Sequence, residues 1–146
     1  MEGVALHFGD CIAGLRKLPD RSVDHFIFDP PYNERTHAKG KRYKRGEIVD
    51  HVIQYKPMTA ANMRAVSKQI VRCCKRWIVL TCDSDSPHLW RKALEDAGAE
   101  FVRHGVYIKD DAQPQMSGDR PGIGFECVVI CHAPRESGRM RWNGGG

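Results

Sequence analysis

Asp29, Pro30, Pro31 and Tyr32 stand together where the apolar run Phe26-Ile27-Phe28 ends. Proline removes a pairing donor and a carboxylate is costly to bury, so this tetrad belongs at the tip of a strand and not within it. Its chemistry suits an aromatic amine. The nitrogen lone pair of an exocyclic amine on a nucleobase is delocalised into the ring, which makes it a poor nucleophile. An ionised carboxylate that accepts one N–H, together with a backbone carbonyl that accepts the other, returns electron density to the nitrogen and favours a pyramidal geometry. Asp29 and the Pro30 carbonyl are the candidate acceptors. The prolines fix φ and remove backbone donors, so the segment presents carbonyls and little else. Tyr32 can stack on a flat base, an interaction worth roughly 1–3 kcal/mol. Such stacking offsets part of the cost of extracting the base from a duplex. The plain alternative is that Pro30-Pro31 only stops a strand while Asp29 caps a turn. Against it stands a second acidic turn, Gly9-Asp10, which also follows an apolar run, Val4 to Phe8.

Groups at strand tips meet only if the strands lie side by side. The pattern predicts a strand over Val4–Phe8, then a helix over Cys11–Leu18 with Asp10 as N-cap, stopped by Pro19-Asp20. Val23–Phe28 reads as a second strand with an unbroken apolar end, suited to a parallel position covered on both faces. Residues 33–57 read as a long polar loop. Thr59 caps a helix that sets Met63, Val66, Ile70 and Cys73 or Cys74 on one face. "WIVLTC" (Trp77 to Cys82) is a buried strand. Ser86-Pro87 opens another helix, and Gly98 closes it. Phe101–Ile108 and Phe125–His132 are two further strands joined by a Gly/Pro-rich loop, which allows an antiparallel pair. Residues 133–146 form a tail without evident structure. The alternation of strands and helices predicts one α/β domain over residues 1–146, built on a mainly parallel sheet. In such sheets ligands bind beyond the carboxyl ends of the strands, where both acidic turns fall.

Composition narrows the classes of function. The chain has 146 residues, 41% of them hydrophobic, with no apolar run as long as a membrane span and no signal-peptide pattern. Lys and Arg total 23 against 18 Asp and Glu, a formal net charge of +5 that suits a polyanionic partner. Six of these cations lie between Arg35 and Arg45. Lys39, Lys41, Arg42, Lys44 and Arg45, grouped around Tyr43, are candidate contacts to the phosphates flanking an extracted base. A solvated loop is the plain alternative. The six cysteines, without a signal peptide, point to reduced thiols. Cys127-x3-Cys131-His132 approaches metal-ligand spacing, but no Cys-x2-Cys pair accompanies it and "FECVVICH" reads as a buried strand, so no metal is expected.

The segment "LHFGDCIAGLRKLPDRSVDHFIFDPPYN" resembles the start of the amino-methyltransferases of DNA, which methylate adenine N6 or cytosine N4 with S-adenosylmethionine. It is most similar to the group with an early Asp-Pro-Pro-Tyr, often called the β class. A weaker similarity continues from Thr59 to about His132, through "VYIKDDAQPQ" and the "FECVVIC" that contains Glu126. The resemblance implies a Rossmann-like methyltransferase fold with an antiparallel edge pair. It implies roles for Asp29, Pro30, Pro31 and Tyr32 at the target amine, and for Asp10, Cys11 and Asp29 at the cofactor. It implies DNA as substrate, adenine ahead of cytosine, and a bacterial or phage cytoplasmic enzyme of the restriction–modification kind. Related motifs also serve RNA and glutamine amides.

One family feature is not met. A Phe-x-Gly-x-Gly strand–turn holds the methionine end of the cofactor in the family, and here only Gly122-x-Gly124 and Gly144-Gly145-Gly146 approach it. In the family the strands ending in "GD" and "DPPY" are separated by two strands from that missing part. The resemblance therefore implies an incomplete sheet: a fragment, one half of a split enzyme completed by a second chain or second copy, or an inactive remnant that binds nucleic acid.

Overall fold

The computed structural model describes residues 3–35, 42–44, 47–49, 55–110, 112, 121–140 and 142. The elements run α1 (Cys11–Leu15), β1 (Phe26–Phe28), β2 (Arg42–Lys44), β3 (Glu47–Val49), α2 (Ala60–Cys73), β4 (Trp77–Cys82), α3 (Pro87–Asp96), β5 (Glu100–Ile108) and β6 (Phe125–His132). Helix starts follow the caps. Asp10 Oδ1 accepts the Ala13 N–H at 2.8 Å, and Thr59 Oγ1 accepts the Asn62 N–H at 3.2 Å. Gly98, with φ of 98°, follows α3 in the left-handed conformation that glycine takes without strain.

The main sheet has the order β1-β4-β6-β5. β1 pairs parallel with β4 (Phe26↔Ile78 to Phe28↔Leu80). β6 runs antiparallel to both neighbours, from Trp77↔His132 to Cys82↔Cys127 on β4, and from Glu100↔His132 to Ile108↔Phe125 on β5. The expected pairing of Phe101–Ile108 with Phe125–His132 is present. That antiparallel pair lies at one edge of the sheet, as expected, while the expectation of a mainly parallel sheet is corrected: the sheet is mixed, with only the β1–β4 pairing parallel among the described residues. Among the described residues no helix lies between β5 and β6, and β6 pairs antiparallel with β5 and enters between β5 and β4. A consequence is that the carboxyl ends of β1, β4 and β5 and the start of β6 lie at one end of the sheet.

Alternation along β4 buries Ile78, Leu80 and Cys82 against the helices and leaves Val79 and Thr81 half-buried on the other face. The core joins these residues to Met63, Val66, Ile70 and Val71 of α2, to Trp90, Ala93 and Leu94 of α3, and to Val129 and Cys131 of β6. The helical face expected for residues 63–74 is thus the core face, and both Cys73 and Cys74 are fully buried. Trp90, 1% exposed, meets Phe28 edge-on with ring centroids 5.9 Å apart. Burial pushes the thiols of Cys82 and Cys131 up to about 12, so both stay protonated.

Other boundaries differ from expectation. Val4–Phe8 forms no strand, and Val4, Leu6 and Phe8 are 90%, 92% and 109% exposed. Apolar composition alone does not make a strand; it needs a ladder partner, and among the described residues none pairs with this segment. α1 stops at Leu15 and the ordered part of the second strand shrinks to three residues, with Val23 forming only an isolated bridge to Cys74. Within the expected loop, β2 and β3 pair as an antiparallel ribbon (Arg42↔Val49, Tyr43↔Ile48, Lys44↔Glu47). The expected tail also contributes packing: Trp142 lies edge-on to Trp77, centroids 5.1 Å apart.

Candidate active site

β1 delivers Asp29, Pro30, Pro31 and Tyr32 to the end of the sheet where the strand tips gather, and with Tyr55 they line a cavity of about 460 Å³. The parallel register Phe28↔Leu80, carried one residue further, sets Asp29 beside Thr81. Period-2 alternation turns both away from the helix-covered face. Thr81 Oγ1 donates to Asp29 Oδ1 at 2.6 Å. Asp29 Oδ2 has no hydrogen-bond partner among the described residues.

Tyr32 is tied down from three sides. Its hydroxyl donates to Glu126 Oε1 at 2.8 Å, its carbonyl accepts the Met58 N–H at 3.0 Å, and the next residue, Asn33, is held by Asp83. Asp83 accepts the Asn33 backbone N–H at 3.2 Å, the Asn33 Nδ2 at 3.0 Å and the Ser86 hydroxyl at 2.8 Å. Burial, with the hydrogen bond to Glu126 and its negative charge, pushes the Tyr32 hydroxyl far above the ordinary tyrosine range, so it acts only as a neutral donor. Glu126 also pairs with Lys109 at the end of β5. The Lys109 hydrogen bond is the main cause holding the Glu126 carboxyl below the usual glutamate range. The result is a neutral aromatic ring held in place beside a carboxylate with an unused acceptor oxygen. That arrangement can grip a flat ring bearing an amine.

Sequence reasoning found the tetrad and missed most of its supports. Glu126 entered only through the resemblance, while Thr81, Asp83, Asn33, Tyr55 and Lys109 were not singled out. One signal was available: a lone acid, Glu126, in an otherwise apolar strand. Asp10 and Cys11 are not among the residues lining that cavity. Asp10 caps α1 after Gly9, whose φ of 141° suits glycine, and Cys11 is exposed. No hydrogen bond or ion pair joins either to the tetrad among the described residues. Asp10 keeps its second carboxylate oxygen without a hydrogen-bond partner among the described residues. Lys39, Lys41 and Arg45 of the basic loop lie outside the described residues. Arg42, Tyr43 and Lys44 are placed only as the backbone of β2. Gly122 and Gly124 precede β6, and Gly144-Gly145-Gly146 lies outside the described residues. Cys127 and Cys131 share one face of β6 while His132 faces the other, so the strand separates His132 from the two cysteines. Among the described residues no group of three or more His, Cys, Asp or Glu is placed to hold a metal.

No family model matches the chain. Among solved structures it is similar to a candidate DNA modification methylase from Thermus thermophilus, with a TM-score of 0.58 and 16% identity, covering 93% of this chain and 54% of that one. The same Thermus protein complexed with S-adenosyl-L-methionine matches with a TM-score of 0.57 at 15% identity. M1.HpyAVI, in its S-adenosylmethionine complex, matches with a TM-score of 0.53 at 13% identity over 83% of this chain and 48% of its own. The chain therefore spans about half the length of the structures it matches. At these identities the shared property is the fold, a mixed α/β sheet of the kind those proteins carry. Among the described residues no helix is long and apolar enough to cross a membrane.

Proposed function

We propose that the chain carries the substrate-amine site of an S-adenosylmethionine-dependent DNA methyltransferase, with adenine N6 favoured over cytosine N4. The observation that carries this reading is the cavity in which an unengaged oxygen of Asp29, the Pro30 carbonyl region and a locked Tyr32 ring converge. Asp29 Oδ2 accepts one amine N–H and the Pro30 carbonyl the other, while Tyr32 stacks on the base. With both protons held, the nitrogen lone pair points out of the ring plane, ready for in-line attack. S-adenosylmethionine would supply an electrophilic methyl group, toward which Asp29 and the Pro30 carbonyl would hold the amine nitrogen. Asp10, with Cys11 and Asp29, is given to the cofactor by the resemblance, and the Asp10 oxygen not used in capping α1 would accept from the cofactor's adenine amine. The positive charge of residues 39–45 would grip the flanking phosphates, so binding should weaken as salt rises.

The reading is tested by calorimetry with S-adenosylmethionine and by methyl incorporation into adenine-containing DNA. Cofactor binding lost on Asp10→Ala supports it. Salt-sensitive DNA binding without any methylated base, unchanged in Asp29→Ala, would identify an inactive nucleic-acid-binding remnant instead.

A specific observation favours completion of the sheet by a further polypeptide, a second chain or a second copy. Among the described residues β1 is an edge strand, Ile27 at its centre is 83% exposed, and Val4, Leu6 and Phe8 are nearly fully exposed. An uncovered edge with this much apolar surface is a pairing template. Ile27→Lys is expected to abolish association measured by sedimentation velocity. A wild-type chain that stays monomeric at high concentration and binds no partner in the same assay would defeat the idea.

A further inference from the structure

Thr81 stands outside the Asp-Pro-Pro-Tyr motif, yet it is the side chain that holds the motif's carboxylate. We infer that Thr81 is a positioning residue for the substrate amine: it engages Asp29 Oδ1 so that Oδ2 alone, in one orientation, faces the cavity. This rests on the proposed role of Asp29. The geometry follows from the fold. β1 and β4 are parallel neighbours in the register Phe28↔Leu80, so the residues one step on, Asp29 and Thr81, fall side by side on the face without helices. Thr81 is a β-branched residue in a regular strand, and its χ1 choices are few.

A threonine hydroxyl has one proton to give. At 2.6 Å it is given to Asp29 Oδ1, which ties down the carboxylate plane. A carboxylate at an exposed strand tip otherwise rotates among several orientations, and an amine would have to freeze it on binding. Here that ordering is complete before substrate arrives, and such preorganisation appears as discrimination for a ligand that uses the oriented oxygen. The other members of the site have their own anchors: Tyr32 has Glu126, and Asn33 has Asp83. Among the described residues Asp29 has Thr81 alone.

The test compares a single-stranded oligonucleotide containing one adenine with the same oligonucleotide carrying purine, which lacks the exocyclic amine, by fluorescence anisotropy. The wild-type chain is expected to prefer adenine by about tenfold, the scale of a hydrogen bond to a charged group. Thr81→Val keeps shape and removes the donor, and should cut that preference to about twofold or less at an unchanged melting temperature. Thr81→Ser restores the donor and should recover it. Thr81→Ala serves as a second donor-less variant should valine perturb the strand. A ratio of affinities does not respond to a uniform loss of folded protein, so a merely structural role for Thr81 leaves it unmoved. An unaltered preference in both Thr81→Val and Thr81→Ala overturns the inference while the amine-binding reading stands. Loss of the preference in Thr81→Ser as well as Thr81→Val also overturns it. No preference in the wild-type chain overturns the amine-binding reading and this inference with it.

Discussion

Asp29→Ala is expected to lower the rate of methyl transfer to a DNA amine by on the order of a thousandfold, the range for removing a group that activates the nucleophile. The fold should be unaffected, because the one Asp29 side-chain hydrogen bond among the described residues, to Thr81, is solvent-exposed. Asp29→Asn sharpens the result. The Thr81 hydroxyl can still donate to the amide oxygen, but an amide N–H then faces the cavity where an acceptor is required. A donor opposing a donor cannot hold the amine, so Asn should be nearly as poor as Ala. The measurement is methyl incorporation under saturating cofactor, with thermal melting as the control for folding. Activity within about tenfold of wild type in both variants would mean that the amine is not held by Asp29.

Trp90→Ala carries the second large effect, on stability. Trp90 is 1% exposed within the cluster formed by α2, α3 and β4, and truncating a buried tryptophan costs about 3–5 kcal/mol. Total stabilities of small domains are about 5–15 kcal/mol, so the loss is a large share of the whole. The check is the midpoint of urea unfolding, expected to fall steeply with an unchanged slope. The consequence should reach the site. Trp90 meets Phe28 edge-on, and Phe28 immediately precedes Asp29. Hydrogen exchange should therefore show the backbone around Phe28 less protected in the variant, while exchange near the exposed Leu6 stays unchanged. A midpoint shift corresponding to less than about 1 kcal/mol would show that the cavity collapses at little cost and that Phe28 does not depend on Trp90.

The distribution of what was legible follows from the range of the interactions. The helix caps at Asp10 and Thr59 and the turn at Gly98 depend on residues within one helical turn, and these were readable. So was the core face of α2, which repeats with the helical period; β4 was legible only as a buried strand, and its alternation between two faces was not. The strand at Val4–Phe8 was misread because an apolar run records a preference for burial and not the presence of a neighbour. The short ribbon β2–β3 was missed because its pairing lies within a segment whose polarity gives no periodic signal.

By itself the sequence determined the local chemistry. Asp29 and two prolines after an apolar run must expose a carboxylate and bare carbonyls, since proline lacks the N–H that would let the strand continue in a ladder. Tertiary structure alone decided which oxygen of that carboxylate is spoken for and what holds the tyrosine. Thr81 lies 52 residues from Asp29, and Glu126 lies 94 from Tyr32. Those bonds depend on β4 entering beside β1 and on β6 reversing between β4 and β5. Strand order is set by which surfaces bury best together across the whole chain, and no local pattern encodes it.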